Sequence, residues 1–205
     1  MNIDLSQLKQ KFYDRLAFVI SAIFSPYVTS LVFIVIISYR YSKDLSQFLP
    51  WMVTFLLFAL IVPGFYVLWL FETRRIRDIH ISDKNDRKIP FLLAGLSSVI
   101  GAFLLFILNA ARPIIVVGVA YAVNVVSVAL ITLFWKVSIH TALFSAVATI
   151  SVILVGTHLW WLYLFLIPLA WARIHRRRHT IWQAVAGSLI AFVLTAATFW
   201  FFGYL

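Results

Sequence analysis

Residues 172–183 read Ala-Arg-Ile-His-Arg-Arg-Arg-His-Thr-Ile-Trp-Gln and separate two long apolar segments. Four arginines and two histidines fall within this stretch, and no acidic residue follows Asp86 anywhere in the chain. A basic stretch between two apolar segments is typical of the point where a chain leaves a lipid bilayer. Such a stretch either rests passively among lipid headgroups or binds a phosphate group.

The composition around this stretch indicates an integral membrane protein. Of the 205 residues, 63% are hydrophobic and 12% are charged, whereas a soluble domain has about 25% charged residues. Several uncharged apolar runs reach the roughly 20 residues that a helix needs to cross a bilayer. These runs are continuously apolar, unlike the alternating strands of a membrane β-barrel. The sequence therefore predicts an all-α, polytopic bundle of membrane helices that forms one domain over residues 1–205.

The apolar runs predict about seven membrane spans, or six to seven. Residues 136–172 would measure about 55 Å as one helix, against a hydrocarbon core of about 30 Å, so we divide them near Gly156. Residues 1–15 are expected to form a short interfacial helix or a polar tail. The predicted spans cover residues 16–37 (with a kink at Pro26), 49–71, 90–108, 113–135, 137–155, 159–172 and 180–202.

Seven spans place the N-terminus and the loops after spans 2, 4 and 6 on one side of the membrane. That side holds 14 of the 17 lysines and arginines, which predicts that it is the cytoplasmic side. The membrane is expected to be the plasma membrane. The net charge of +10 is interpreted as a signal for topology and lipid headgroups rather than for nucleic acid. The absence of cysteine excludes disulfides and thiolate chemistry.

The same topology brings three polar clusters to one membrane face. They are residues 80–88 after span 2, residues 136–140 at the start of span 5, and residues 172–183 between spans 6 and 7. Together they supply cations for phosphate oxygens, a hydroxyl, and histidines that act as nucleophile or general acid near neutral pH. This combination suits phosphoryl transfer from a lipid phosphate, and it needs no metal because arginine and lysine carry the stabilising charge.

The spacing within residues 172–183 resembles a known motif. Arg173, five residues, His179, three residues and Gln183 reproduce the spacing of S-R-x5-H-x3-D. That is the third motif of the type 2 phosphatidic acid phosphatase superfamily, which also includes bacterial acid phosphatases and vanadium haloperoxidases. The resemblance extends over about residues 80–190.

Two other motifs of that superfamily have counterparts earlier in the chain. Its second motif, P-S-G-H, is similar to residues 137–140, which read Val-Ser-Ile-His and keep the serine and the histidine. Its first motif, K-x6-R-P, resembles the stretch in which Arg87 precedes Pro90 and His80 stands in the place of the lysine. The three motifs occur in the family's order.

The resemblance implies a role for each of these residues. His179 would attack phosphorus and form a phosphohistidine, and His140 would protonate the leaving alcohol. Gln183 replaces the aspartate that orients the nucleophilic histidine; its carbonyl oxygen can accept a hydrogen bond from Nδ1 but carries no charge. The residues expected to bind phosphate oxygens are Arg87, Lys84, Lys88, Ser138, Arg173 and Lys136.

The implied function is that of a membrane lipid phosphatase or phosphotransferase. Its substrate would be phosphatidic acid, phosphatidylglycerol phosphate or an isoprenyl (di)phosphate, with membrane lipids as its surroundings and no metal or other cofactor. Because Gln183 lacks the aspartate's charge, the alternative is a non-catalytic protein of the same fold that binds or transports a lipid phosphate.

Several of these residues also have a structural interpretation. The arginines of residues 173–178 would serve as a positive-inside anchor, and Ser138 would cap a helix, which is compatible with phosphate binding. His175 is expected to contact headgroups. Asn124, near the middle of span 4, is expected to form a hydrogen bond between helices.

Overall fold

The computed structural model describes residues 5–76 and 88–205, which form helices and turns without a strand. Nine α-helices, one π-helical segment and one 3₁₀ segment follow each other in these ranges. The elements are α1 (Leu5–Ile23), α2 (Pro26–Tyr41), α3 (Leu45–Leu56), the π segment (Leu57–Ile61), α4 (Val62–Glu72), α5 (Lys88–Ile107), α6 (Arg112–Thr132), α7 (Ile139–Leu154), the 3₁₀ segment (Thr157–Phe165), α8 (Leu166–His175) and α9 (Ile181–Phe201).

Five helical stretches in the described ranges are long and apolar enough to cross a bilayer. The outer surface is also apolar: Phe134, Trp182 and Ile167 are 82%, 74% and 71% exposed, and soluble monomers rarely expose large continuous apolar patches. The predicted class of an all-α bundle with membrane-spanning helices is therefore supported, whereas five long helices do not establish six to seven spans. The five stretches are Ser6–Tyr41, Leu45–Glu72, Lys88–Ile107, Arg112–Thr132 and Ile181–Phe201.

The first predicted span is divided between two helices. α1 is continuous from Leu5 to Ile23, so the polar residues 5–15 are its first turns. The predicted kink at Pro26 is a helix boundary, because Pro26 opens α2 and the Ser25 Oγ accepts a hydrogen bond from the Val28 N–H at 3.3 Å. Proline is well suited to the first helical position, where its missing N–H costs nothing.

The predicted sixth span, residues 159–172, is not a single α-helix. α7 ends at Leu154, and Gly156 then adopts φ +150°, a conformation in which a Cβ would lie 2.7 Å from the His158 Nδ1. The chain continues as the 3₁₀ segment and then as α8, which extends to His175. Arg173 therefore lies within the last turn of a helix and not in the loop that follows it.

Contacts between helix ends define the end of the bundle that lies far from residues 172–183. The Tyr41 hydroxyl donates to the Leu154 carbonyl at 3.3 Å, and the Arg112 Nη2 donates to the Phe202 carbonyl at 2.6 Å. Near mid-bundle, the Asn124 amide donates to the Thr195 hydroxyl at 3.0 Å, so its predicted hydrogen bond between helices is confirmed. Together these contacts join α2 to α7 and α6 to α9.

The π segment between α3 and α4 is explained by Pro63. Proline lacks the N–H that would donate to the carbonyl four residues earlier, and its ring displaces that carbonyl. The carbonyl is that of Ala59, which accepts a hydrogen bond from the Tyr121 hydroxyl at 3.0 Å, while the Phe58 carbonyl accepts from the Ser97 Oγ at 2.7 Å. Side chains of α5 and α6 thus satisfy backbone groups that lipid would leave unpaired.

We expect Gly101→Ala to destabilise the bundle by about 1–3 kcal/mol, because overpacking carries a cost of this size. A Cβ on Gly101 would lie 2.6 Å from the Cβ of Phe58, an atom fixed to the π-segment backbone. Thermal unfolding in detergent measures the effect. Gly64→Ala is the matched control, since its Cβ would lie 3.8 Å from the Tyr27 ring, and equal melting temperatures for the two variants would contradict the prediction.

Candidate functional site

A cavity of about 540 Å³ extends from the end of the bundle that carries residues 172–183 into the apolar interior. α6 lines it from Thr132 to Val117, a length of about 22 Å along the helix. Its deeper wall is mostly apolar, with Ile34, Phe55 and Ile150 among its residues. We call the polar rim the basic mouth, and its residues are Lys136, His140, Arg173, Arg176, Arg178 and His179.

Arg173 is the most unusual residue of the basic mouth. The residue is only 4% exposed, and its Nε has no hydrogen-bond partner among residues 5–76 and 88–205. Burial, followed by the charges of Arg176 and Arg178, lowers the pKa of Arg173 to about 10, so the guanidinium stays charged at neutral pH. No ion pair within the described ranges involves Arg173, and a buried charge without a counter-ion destabilises a protein. An anion at the basic mouth would reduce this cost.

The turn between α8 and α9 brings His179 back to Arg173. The N–H groups of Arg178 and His179 donate to the Arg173 carbonyl at 3.0 and 3.4 Å, and Arg177 adopts φ +52°. This left-handed residue reverses the chain direction at the end of α8. The spacing of five residues between Arg173 and His179 is therefore the length of a helix-ending turn that places both side chains at the basic mouth.

Gln183 holds His179 through the cap of α9. Thr180 and Gln183 form a capping box, in which the Gln183 Oε1 accepts from the Thr180 N–H at 3.2 Å. The same Oε1 lies 3.3 Å from the His179 Nδ1. The Gln183 atom that accepts from the Thr180 N–H must be the amide oxygen, which can only accept. The His179 Nδ1 therefore donates to this oxygen, and a neutral His179 has its lone pair on Nε2.

The two predicted histidines, His140 and His179, both line the basic mouth, but Ser138 does not. The Ser138 side chain is fully buried and caps α7, where its Oγ accepts from the Thr141 N–H at 3.5 Å. The backbone N–H of Ser138 donates to the backbone carbonyl of Gln183 at 3.1 Å. The predicted cap is therefore present, and the contact of this hydroxyl with phosphate stays a prediction.

Small and hydroxyl side chains fix α7 against α9, a contact that was not predicted from the sequence. The hydroxyls of Thr141 and Ser145 donate to the carbonyls of Ala184 and Ser188 at 2.9 and 2.8 Å. A Cβ on Gly187 would lie 2.7 Å from the Ser138 carbonyl oxygen. This close packing sets the position of His140 relative to His179. Small residues at helical spacing in these two helices were the sequence signal that could have predicted their close contact.

The remaining predicted phosphate ligands are only partly described. Lys84 and Arg87 lie outside the described residues, as does His80, which stands in the place of the first motif's lysine. Lys88 opens α5 and is exposed, and Lys136 lines the basic mouth. The absence of a metal also stays a prediction, because the aspartates of residues 77–87 lie outside the described residues.

α1 also reaches the basic mouth, although its first turns were expected to form only an interfacial helix or a polar tail. The Arg176 guanidinium lies 5.1 Å from the centre of the Phe18 ring, which is a cation–π distance. His175, expected to contact headgroups, has its Nε2 2.7 Å from a carboxylate oxygen of Asp14. Asp14 lies two residues before the predicted apolar run, and no local pattern pairs it with His175.

The chain matches no protein-family model, no curated protein and no solved structure. Its chemistry is therefore inferred from its own residues. A buried cation and two imidazoles border a long apolar cavity, which fits an amphiphile with an anionic head. Imidazole is also a nucleophile and a proton donor at neutral pH.

Proposed function

We propose that this protein is a membrane enzyme that removes or transfers the phosphate group of a lipid phosphate. One observation carries the proposal: buried Arg173, whose Nε has no partner in the part of the chain that the structure describes, lies with His140 and His179 at the mouth of an apolar cavity. The mouth suits the phosphate and the cavity suits the hydrocarbon chain. Candidate substrates are phosphatidic acid, phosphatidylglycerol phosphate and isoprenyl (di)phosphates.

The proposed reaction has two steps. The His179 Nε2 attacks phosphorus, an N–P bond forms, and the P–O bond to the lipid breaks while His140 gives its proton to the leaving oxygen. Water then attacks the phosphohistidine with His140 as base, which releases inorganic phosphate and restores His179. Arg173 and the other cations of the basic mouth stabilise the phosphate oxygens, so no metal is needed.

The proposed topology has seven spans, with the basic mouth at the cytoplasmic face of the plasma membrane. Five of these spans are the long helical stretches. The other two would be α7, about 24 Å long, and residues 159–172, which would cross as the 3₁₀ segment and most of α8. The concentration of lysine and arginine on one side supports this orientation.

The second candidate is a protein that binds or transports a lipid phosphate without hydrolysing it. The uncharged amide of Gln183 favours this function, because it stabilises an imidazolium less than a carboxylate does. Both candidates predict lipid-phosphate binding at the basic mouth. Only the enzyme predicts the release or transfer of phosphate.

The deciding experiment is phosphate release by the purified chain in detergent, with EDTA present. We would offer phosphatidic acid, phosphatidylglycerol phosphate and farnesyl diphosphate, and measure binding of each in parallel. The expected result is release from at least one lipid that EDTA does not reduce. Binding without release from any of them, between about pH 5 and 8, would refute the enzyme and favour the binding protein.

We expect Gln183→Glu to shift the acidic limb of the pH profile of kcat/KM upward by roughly one unit. Glutamate is the other residue that completes a capping box, so the cap of α9 is kept. Its charge stabilises the imidazolium of His179, so the neutral nucleophile persists only at higher pH. The comparison variant Gln183→Leu loses both the cap of α9 and the hydrogen bond that orients His179, and its activity should fall about 100-fold. An unshifted limb in Gln183→Glu would contradict the prediction.

A further inference from the structure

We infer that α1 forms the wall of the cavity next to the basic mouth, and that Asp14 and His175 are positioning residues that hold it there for a lipid chain. This inference rests on the proposed function, because it concerns the part of the substrate that follows the phosphate. Residues 1–15 were not expected to take part in the site. The residues that carry the inference are Asp14, Phe18, Ser21, Ala22, His175 and Arg176.

α1 contributes directly to the cavity wall. Phe18, Ser21 and Ala22 line it, and they fall on one side of the helix at spacings of three and four residues. Ser21 is buried, and its hydroxyl has no hydrogen-bond partner among the residues that the structure describes. A hydrocarbon chain attached to a phosphate at Arg176 would meet Phe18 first, since that ring lies on the Arg176 guanidinium.

One group of contacts fixes α1 to α8, the helix that carries Arg173 and Arg176. The Asp14 carboxylate and the His175 Nε2 are 2.7 Å apart. The His175 ring stacks on Trp171 with 5.2 Å between ring centres, and the Tyr13 ring lies edge-on to Trp171 at 6.3 Å. The aromatic contacts orient the imidazole, and its Nε2 then meets the carboxylate one turn before Phe18.

The connection to α2 gives α1 little support of its own. α1 ends at Ile23, and Ser25 and Pro26 begin a new helix. α1 therefore depends on its contacts with α8 for its position over the cavity. Loss of the Asp14–His175 contact should loosen the wall around the lipid chain while the cations of the basic mouth remain.

The experiment compares two probes with the same head, dodecyl phosphate and methyl phosphate, for binding to the full chain in one detergent. The measured quantity is the ratio of their dissociation constants. We expect Asp14→Asn and His175→Gln each to reduce the preference for dodecyl phosphate roughly fivefold. The double variant should lose little more, because the two residues act as one pair. Asp44→Asn is the matched control: Asp44 is an acid that caps α3, and asparagine caps equally well.

A crosslink separates positioning from general damage. The chain has no cysteine, so Asp14→Cys combined with His175→Cys gives one reactive pair for a short thiol-to-thiol reagent. Before crosslinking, this variant should show the reduced ratio of dissociation constants expected for Asp14→Asn. After crosslinking it should regain the native ratio.

The outcomes distinguish the inference from the proposed function. An unchanged ratio in Asp14→Asn, or a crosslink that restores nothing, would overturn the inference and leave the lipid-phosphate site intact. A native chain that binds neither probe would refute the proposed function, and the inference with it. Binding of methyl phosphate with no preference for dodecyl phosphate would overturn the role of the cavity wall alone.

Discussion

His179→Ala is expected to lower phosphate release at least about a thousandfold, the scale seen when a nucleophile of a covalent mechanism is removed. The His179 Nδ1 is oriented by Gln183 and its Nε2 is the proposed attacking atom. Binding of the same lipid should persist, since Arg173 and its neighbours remain. The measurement is single-turnover phosphate release at saturating lipid, together with the dissociation constant.

His158→Ala is the matched control for that variant. His158 is an exposed histidine in the 3₁₀ segment and does not line the cavity. Its replacement should change release by less than about twofold, as expected for a surface position away from the site. Release within tenfold of native by His179→Ala would show that another group attacks phosphorus.

Arg173→Leu should reduce kcat/KM by about 10²–10³ while leaving the melting temperature unchanged or higher. The guanidinium is a buried donor at the rim of the cavity where the phosphate is proposed to bind, and removal of one such donor has an effect of this size. Nε has no partner within residues 5–76 and 88–205, so its burial costs stability in the empty protein, and an apolar side chain removes that cost. Activity and stability therefore move in opposite directions.

Arg177→Asn is the control that removes the same charge from the same turn. Arg177 is exposed, does not line the cavity and adopts φ +52°, which asparagine tolerates. Its kcat/KM should stay within about threefold of native. If both variants lost activity equally, the basic mouth would act by its net charge, and Arg173 would have no specific contact with phosphate.

The sequence predicted which ends of the helices meet, because the side of the membrane follows from counting apolar spans. His140 and His179 were accordingly expected at one face, and both line the basic mouth. Spacing alone does not tell which side chain turns toward the cavity. Ser138 matched its motif as well as His140 did, yet its hydroxyl caps α7 beneath α9.

The elements that sequence reasoning missed depend on contacts between distant segments. Pro63 was visible, but the π segment before it persists because Tyr121 and Ser97 satisfy its carbonyls from other helices. The contact of Asp14 with His175 joins residues 161 positions apart. Local periodicity carries no information about such pairs.

The double use of the Gln183 Oε1 limits how this site can evolve. Only glutamine and glutamate complete a capping box at that position, so most substitutions would weaken α9 and misorient His179 together. A single base change converts a glutamine codon into a glutamate codon. A lineage could therefore exchange a neutral orienting group for a charged one in one step, without passing through an intermediate that has lost the helix cap.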